Sequence, residues 1–192
     1  MEFQHELIIP DEGFPFKVFL FEGGNGNYVR EKHWHTSIEI FAVLAGSLDF
    51  FVNKEEYPLK AGEQIIINSN EIHSIHAPEK NQTVVLQIPL KQFENYFTAQ
   101  RFIRFRGQEE TTDKKLTSLI KKLYKTYVDR ETGYEFKTMS IFYEIMYILI
   151  RDYRVTEAKE KEIRHSRRLD ALSKITTYMR EHYKEDLKLS EL

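Results

Sequence analysis

The sequence predicts a mainly β domain followed by α-helices, on the basis of two observations. Up to about Pro89, short aromatic and β-branched segments alternate with Gly and Asn turn signals, which is typical of a sandwich or barrel of short strands. After Pro89 the apolar residues recur at intervals of three and four, which indicates helices. The chain has 192 residues, of which 41% are hydrophobic, and this is enough for one substantial core.

The predicted strands share aromatic or β-branched residues and are bounded by turn signals. They cover residues 16–22, 28–30, 38–44, 47–53, 65–73 and 83–88. Gly46 separates two of them, so we expect a hairpin turn there. Residues 1–15 show little periodicity and are predicted to form an arm, in which Phe14 and Phe16 either close over a ligand or belong to a disordered N-terminus.

Three helices are predicted in the second half of the chain. The first carries Leu116, Ile120 and Leu123 on one face and ends at Gly133. The second, about residues 134–153, is apolar nearly all round over residues 141–150, so it must be buried on more than one side. These two helices are expected to form an antiparallel hairpin, with the β domain against one side and a second subunit against the other, which predicts a homodimer.

The C-terminal part of the sequence is more polar. Residues 154–168 are charged and are predicted to be a linker, partly helical at most. A third helix is expected from about Leu169 to Tyr183, and Ser190 is placed to cap the start of another. The sequence stops just after that cap, so we expect a fragment boundary here.

The composition excludes several classes of protein. The net charge is −2, made up of −7 over residues 1–100, +3 over 101–150 and +2 over 151–192, so the first half has no electrostatic footprint for nucleic acid. The absence of cysteine excludes disulfide scaffolds and thiolate metal sites. The N-terminus lacks the pattern of a signal peptide, and residues 141–150 are too short to span a bilayer. A cytoplasmic protein without membrane contact is expected.

The most informative pattern is His33, His35 and Glu39, followed seven residues later by Gly46. Side chains alternate faces along a strand, so these three point the same way if one strand carries them. His73 ends the alternating segment 65–73 and can join them inside a small barrel. Buried polar groups cost free energy unless they have partners, and the partner here can be a metal ion, a polar ligand or one another.

This pattern resembles the first motif of the cupin superfamily, and Gly62 and His73 resemble part of the second. The cupin motifs expect a proline and a glycine where this chain has Asn68 and Asn70. The wider arrangement is similar to AraC-type transcriptional regulators. The segments 57–63 and 68–74 resemble their sensing domain, and 169–192 resembles the opening of their helix-turn-helix DNA-binding domain.

The resemblance implies a cupin jelly-roll β-barrel, an antiparallel helical hairpin and the first helix of a truncated helix-turn-helix domain. It implies four segments: an arm and effector-binding barrel (1–98), a dimerisation hairpin (99–153), a linker (154–168) and the truncated DNA-binding domain (169–192). The implied function is sensing a small polar effector, plausibly a carbohydrate, with DNA contacted by the missing C-terminal domain. No catalysis and no cofactor are expected.

Two alternatives stay open. His33, His35, Glu39 and His73 can instead hold a divalent metal in a cupin oxygenase or isomerase, because imidazole and carboxylate are suitable ligands. The barrel can also be empty, in a domain that serves only to oligomerise. Trp34 should point away from the histidines and pack under the arm or a helix, and His76 should face away from His73.

Overall fold

Two β-sheets and three α-helices make up the part of the chain that the computed structural model describes, which is residues 4–24, 28–98, 102–107, 112–156 and 160–184. The strands of these residues, in chain order, are β1 (Gln4–His5), β2 (Lys17–Gly23), β3 (Tyr28–Trp34), β4 (Ser37–Ala45), β5 (Ser47–Val52), β6 (Glu55–Lys60), β7 (Gln64–Ile67), β8 (His73–Ala77) and β9 (Asn81–Pro89). The outer sheet has the order β1-β3-β8-β5-β6, and the inner sheet has the order β2-β9-β4-β7.

The inner sheet is largely apolar on both faces because it lies between the outer sheet and the helices. Phe41 and Val43 of β4 pack against the outer sheet, whereas Ile38 and Ile40 of the same strand pack toward the helices. This alternation follows from the period of two in a strand. The predicted jelly-roll fold, mainly β with added helices, is therefore confirmed, although the two sheets share no ladder within the described ranges and form a sandwich instead of a closed barrel.

The chain changes sheets at Gly46. β4 belongs to the inner sheet and β5 to the outer sheet, so the hairpin predicted at Gly46 is wrong and the glycine is a corner between layers. Its φ is 73°, and a Cβ at this position would lie 2.1 Å from the carbonyl oxygen of Lys80. The corner thus requires glycine both for its backbone conformation and for its close contact with the preceding end of β9.

The helical hairpin covers the other face of the inner sheet. After a 3₁₀ turn (Leu90–Tyr96) come α1 (Lys114–Asp129) and α2 (Tyr134–Ile148), the second continued by a π-helical turn (Leu149–Tyr153). The side chain of Asp113 caps α1 by accepting from the backbone N–H of Lys115 at 2.8 Å. Leu116 and Ile120 of α1 share a core with Ile141 and Phe142 of α2, so the predicted hairpin is confirmed.

The third helix, α3 (Glu160–Glu181), begins nine residues before the predicted start at Leu169. Most of the expected linker 154–168 is therefore helical. The helix predicted from Ser190 lies outside the described residues, and the four proposed segment boundaries stay predictions. In the described ranges, no helix combines the length and apolar character needed to cross a bilayer.

Candidate functional site

The four predicted residues come from three strands and one crossover. His33 lies in β3, Glu39 in β4 and His73 at the start of β8, whereas His35 lies in the short passage by which the chain leaves the outer sheet for the inner sheet. The condition that one strand carries His33, His35 and Glu39 is therefore not met. The four residues nevertheless meet, because the side chains from both sheets point into the space between the two layers at the same end of the sandwich.

Glu39 is the centre of the cluster. Its Oε2 lies 2.9 Å from His35 Nε2 and 3.2 Å from His73 Nε2, and its Oε1 accepts a hydrogen bond of 2.7 Å from Gln87 Nε2. All four side chains are buried, with Glu39 only 3% exposed. A carboxylate is therefore held away from solvent by two imidazoles and one amide.

His33 lies beside this centre. Its ring packs on His73 with centroids 4.1 Å apart, but its Nε2 faces Glu6 Oε2 at 3.5 Å. Glu6 follows β1 in the N-terminal arm and also accepts a hydrogen bond from Arg30 at 3.1 Å. The structure thus brings His35, Glu39 and His73 together around one carboxylate oxygen and connects His33 to the arm. The role of all four in binding a ligand stays a prediction.

The three imidazoles are oriented in the same way. The Nδ1 atoms of His33, His35 and His73 lie 2.8, 3.1 and 2.9 Å from the carbonyl oxygens of Glu31, Ser37 and Glu71, in that order. A carbonyl oxygen only accepts, so each Nδ1 carries the proton and donates it. The neutral form of each ring then presents the lone pair of Nε2 to the interior.

One loop supports two of these rings. The loop between β7 and β8 donates from the backbone N–H of Asn70 to the carbonyl of His35 at 2.8 Å, and its Glu71 carbonyl receives His73 Nδ1. Asn68 anchors the loop: its side chain accepts from the N–H of Phe105 at 2.8 Å and donates to the Phe105 carbonyl at 3.1 Å. The residues that replace the cupin proline and glycine thus serve as supports of the site.

Charge at the centre is paired. Burial acts to lower the pKa of His35, but the charge and hydrogen bond of Glu39 outweigh it, and the pKa of His35 is raised above 6.5. Burial acts to raise the pKa of Glu39, but the charge and hydrogen bond of His35 outweigh burial and hold the pKa of Glu39 well below its usual range. His35 and Glu39 therefore form a buried ion pair. Burial, assisted by the neighbouring His73, lowers the pKa of His33 to about 4, so that ring is neutral near pH 7.

The donor set of His35, Glu39 and His73 fits a divalent metal ion. Each residue offers one ligand atom, these atoms lie within 4.8 Å of one another, and all three residues are buried. Fixing a ligand imidazole by a hydrogen bond from its other nitrogen is the usual outer-shell arrangement of metal sites. His33 is not part of this set, so three of the four predicted metal ligands are placed together.

Sequence reasoning missed Gln87 and Glu6. Gln87 is 2% exposed and pairs in register with Glu39 across β9 and β4. Its signal was a glutamine inside the otherwise apolar end of β9, on the same parity as Val85, which faces the outer sheet. Glu6 had no periodic signal, because the described part of β1 covers only Gln4 and His5.

The predicted surroundings are mixed. Trp34 packs under the arm as expected, with its ring 4.5 Å from that of His5, and His76 points away from the cluster to lie 3.6 Å from Asp49. The Phe14–Phe16 segment does not close over the site. Phe16 packs on Phe142 of α2 with ring centroids 4.6 Å apart, so this part of the arm is core between the inner sheet and the hairpin.

A model of the family described as AraC-like ligand binding domain matches residues 15–146. Among solved structures the chain is similar to a conserved protein of unknown function from Streptococcus pyogenes (16% identity, 40% of this chain and 66% of that chain, TM-score 0.38). It is similar to a cupin superfamily protein from Desulfitobacterium hafniense (12%, 39% and 68%, TM-score 0.37). It is also similar to a DMSP lyase from Ruegeria pomeroyi (20%, 38% and 38%, TM-score 0.36).

The similarity to these structures covers about two fifths of this chain. The chain spans less than two thirds of the Streptococcus protein and less than half of the lyase. Likeness of this extent assigns no activity, because one fold hosts many functions. No curated protein matches the chain.

Proposed function

Because the chain belongs to the family of AraC-like ligand-binding domains, we propose that it is the effector-sensing region of an AraC-type transcriptional regulator and not an enzyme. One observation carries the proposal: a polar cluster is buried between two apolar sheets and is incompletely paired. Within the described part of the chain, Gln87 Oε1 is buried and has no hydrogen-bond partner. Such an atom is costly to bury, and a small polar molecule would pair with it.

The effector we propose is a small polar compound such as a sugar, bound by His33, His35, Glu39 and His73. The cluster is closed to solvent, so an effector enters only if a covering segment moves. The arm is suited to this, because the described residues of β1 form two pairs with β3 and Glu6 lies directly against His33. An effector then shifts the arm by as much as its affinity differs between the two arrangements.

Dimerisation and DNA binding complete the proposed function. α2 exposes three aromatic rings, Phe136, Tyr143 and Tyr147, at spacings of seven and four that place them on one face. A second copy of the chain is the proposed cover for this face. α3 is proposed to lead into the DNA-binding domain, whose recognition helices enter the major groove in a cytoplasmic regulator.

A thermal-shift screen against sugars, glycosides and other small polar compounds tests the effector. A ligand that binds only the folded chain raises its melting temperature, and the increase grows with the ratio of ligand concentration to Kd. The increase should disappear in Glu39→Ala and His33→Ala and persist in His76→Ala, a half-exposed histidine outside the cluster. Hits that are unchanged in both cluster variants would show that the effector site lies elsewhere.

A metal-dependent cupin enzyme is the second candidate, and the three convergent ligand atoms of His35, Glu39 and His73 favour it. A bound divalent ion would supply a Lewis acid that polarises a substrate oxygen. Metal analysis of the purified protein separates the two candidates. Stoichiometric Fe, Mn, Ni or Zn that is lost in His35→Ala supports the enzyme, and a metal-free protein that responds to a polar organic compound supports the sensor.

A further inference from the structure

We propose that the buried cluster selects compounds that carry adjacent hydrogen-bond donors, hydroxyl or ammonium groups, and rejects carboxylates and phosphates. The inference rests on the proposed function, because it concerns the effector of the same site. It is carried by the direction of every hydrogen bond in the cluster. Gln87 becomes the residue that determines this specificity.

The imidazoles turn Nε2 toward the interior, because each of the three rings uses its Nδ1–H on a backbone carbonyl. Two of these atoms already face carboxylates, since His35 Nε2 is paired with Glu39 and His33 Nε2 lies 3.5 Å from Glu6 Oε2. His73 Nε2 lies 3.2 Å from Glu39 Oε2, and in the neutral form of the ring these two acceptors face each other. A ligand donor beside them would pair with this acceptor.

Gln87 contributes another acceptor. Its amide nitrogen donates to Glu39 Oε1 at 2.7 Å, and this contact fixes which end of the amide faces the carboxylate. Its amide oxygen is therefore turned away from Glu39, and it is buried without a partner among the described residues. A carbonyl oxygen can only accept, so a ligand that pairs with it must supply an N–H or an O–H.

The cations near the cluster are already occupied or displaced. Arg30 is hydrogen-bonded to Glu6, and the His35 ring to Glu39. Lys17 lies opposite Gln87 in the register of β2 and β9, but its ammonium lies over the ring of Phe19, 5.4 Å from the centroid. An anionic ligand in the cluster would therefore meet lone pairs and the carboxylate of Glu39 in place of donors.

The experiment is isothermal titration of chelator-treated protein with four compounds that share one six-carbon chain: the polyol, its 1-amino derivative, the corresponding sugar acid and the polyol phosphate. We expect the polyol or the amine to bind at least about tenfold more tightly than either anion. A tenfold difference in Kd corresponds to the cost of leaving one buried polar group unpaired. Comparison of the polyol with the amine distinguishes hydroxyl from ammonium donors.

Substitutions of Gln87 test its role. Gln87→Leu removes the acceptor and should weaken the bound donor compound about tenfold. Gln87→Glu keeps the shape, adds a negative charge and should shift preference toward the amine. Gln82→Leu, an exposed glutamine on the same strand, is the matched control and should leave affinity unchanged. Circular dichroism of each variant confirms that it is folded.

The outcomes separate this inference from the effector proposal. An acid or phosphate that binds as tightly as the polyol and the amine overturns the inference and leaves the sensor intact. Failure of both donor compounds to bind also contradicts it, whatever the broader screen finds. Binding of a donor compound that is insensitive to Gln87→Leu removes Gln87 from the selection.

Discussion

The stability of the folded chain depends on pH through the buried ring of His33. Its pKa is about 4 in the fold against an ordinary value of 6.5, so between these values the unfolded chain binds more protons than the folded chain. The contribution of His33 to stability is therefore full well above pH 6.5 and is lost as the pH falls toward 4. The pKa of Glu39 is lowered, so Glu39 adds to the loss mainly below pH 4.5, and the pKa of His35 is raised, so His35 adds stability as the pH falls, mainly above pH 6.5. Among these three residues, His33 therefore dominates between pH 6.5 and 4.5.

We predict that the free energy of unfolding falls by on the order of 2 kcal/mol between pH 6.5 and 4.5 because of His33. Urea unfolding at several pH values measures it. His33→Gln should flatten this dependence, whereas His76→Gln, at a half-exposed site, should leave it as in the unchanged chain. Equal slopes for all three proteins would show that His33 titrates normally in the fold.

Asn68 is a second single residue with a measurable role. Its side chain pairs with both backbone groups of Phe105, as a strand neighbour would. Asn68→Ala leaves a buried N–H and a buried carbonyl unpaired and should destabilise the chain by roughly 3 kcal/mol. Asn68→Asp keeps the acceptor but sets a buried carboxylate oxygen against the Phe105 carbonyl and Glu71, so it should cost at least as much near pH 7. Thermal and urea unfolding measure both variants, and a loss under 1 kcal/mol for the alanine variant would contradict this account.

At the scale of elements, a comparison of two glycines distinguishes the cost of backbone strain from the cost of a steric clash. Gly46 and Gly62 both have positive φ, 73° and 89°, but only Gly46 has a neighbour within contact distance of an added Cβ. Gly62→Ala should cost about 1 kcal/mol, the price of left-handed backbone for an L-residue. Gly46→Ala should cost roughly 2 kcal/mol more, because the Lys80 carbonyl must move. Urea unfolding measures the difference, and equal costs would contradict the close contact at Gly46.

The periodic elements could be predicted from the sequence, and the connections between them could not. The apolar spacing over residues 116–127 marks α1, and the β-branched runs around Ile40 and Val85 mark β4 and β9. Gly46 predicts a turn, but a single glycine does not indicate whether the chain stays in the same sheet after the turn. α3 begins in a charged segment without an apolar repeat, so its first turns had no pattern to reveal them.

The site was predictable in its residue types and less so in its assembly. His33, His35 and Glu39 have the spacing of residues on one face of a single strand, and this spacing predicted that they point the same way. They do lie together, but they do not share one strand, because the chain crosses between the sheets at His35. His73 was placed at the end of a strand and in fact opens the next one. Glu6 and Gln87 lie far from the histidines in sequence. The parity of Gln87 in β9 indicated a face of the strand but not the residues that it would meet there.

At the scale of the whole molecule, the helical hairpin presents two different surfaces. α1 exposes five lysines, at positions 114, 115, 121, 122 and 125, and α2 exposes the rings of Phe136, Tyr143 and Tyr147. Two copies that met through α1 would oppose like charges, whereas α2 faces can pair through apolar rings. We therefore predict a two-fold dimer through α2.

Sedimentation velocity over a concentration series tests the dimer. Tyr143→Glu should shift the chain to monomer, because a charge at the centre of an apolar contact loses its solvation. Val29→Glu, which changes an exposed residue of the outer sheet, should remain dimeric. A chain that is monomeric at all concentrations, or a dimer that tolerates Tyr143→Glu, would exclude this interface.

The crossover at His35 has a consequence for how any occupant of the site acts. Glu39 and Gln87 belong to one sheet and His33 and His73 to the other, so the cluster exists only while the two layers are docked. A molecule that contacts both layers links the two sheets. Its binding free energy therefore opposes the separation of the sheets more than the fraying of any one strand.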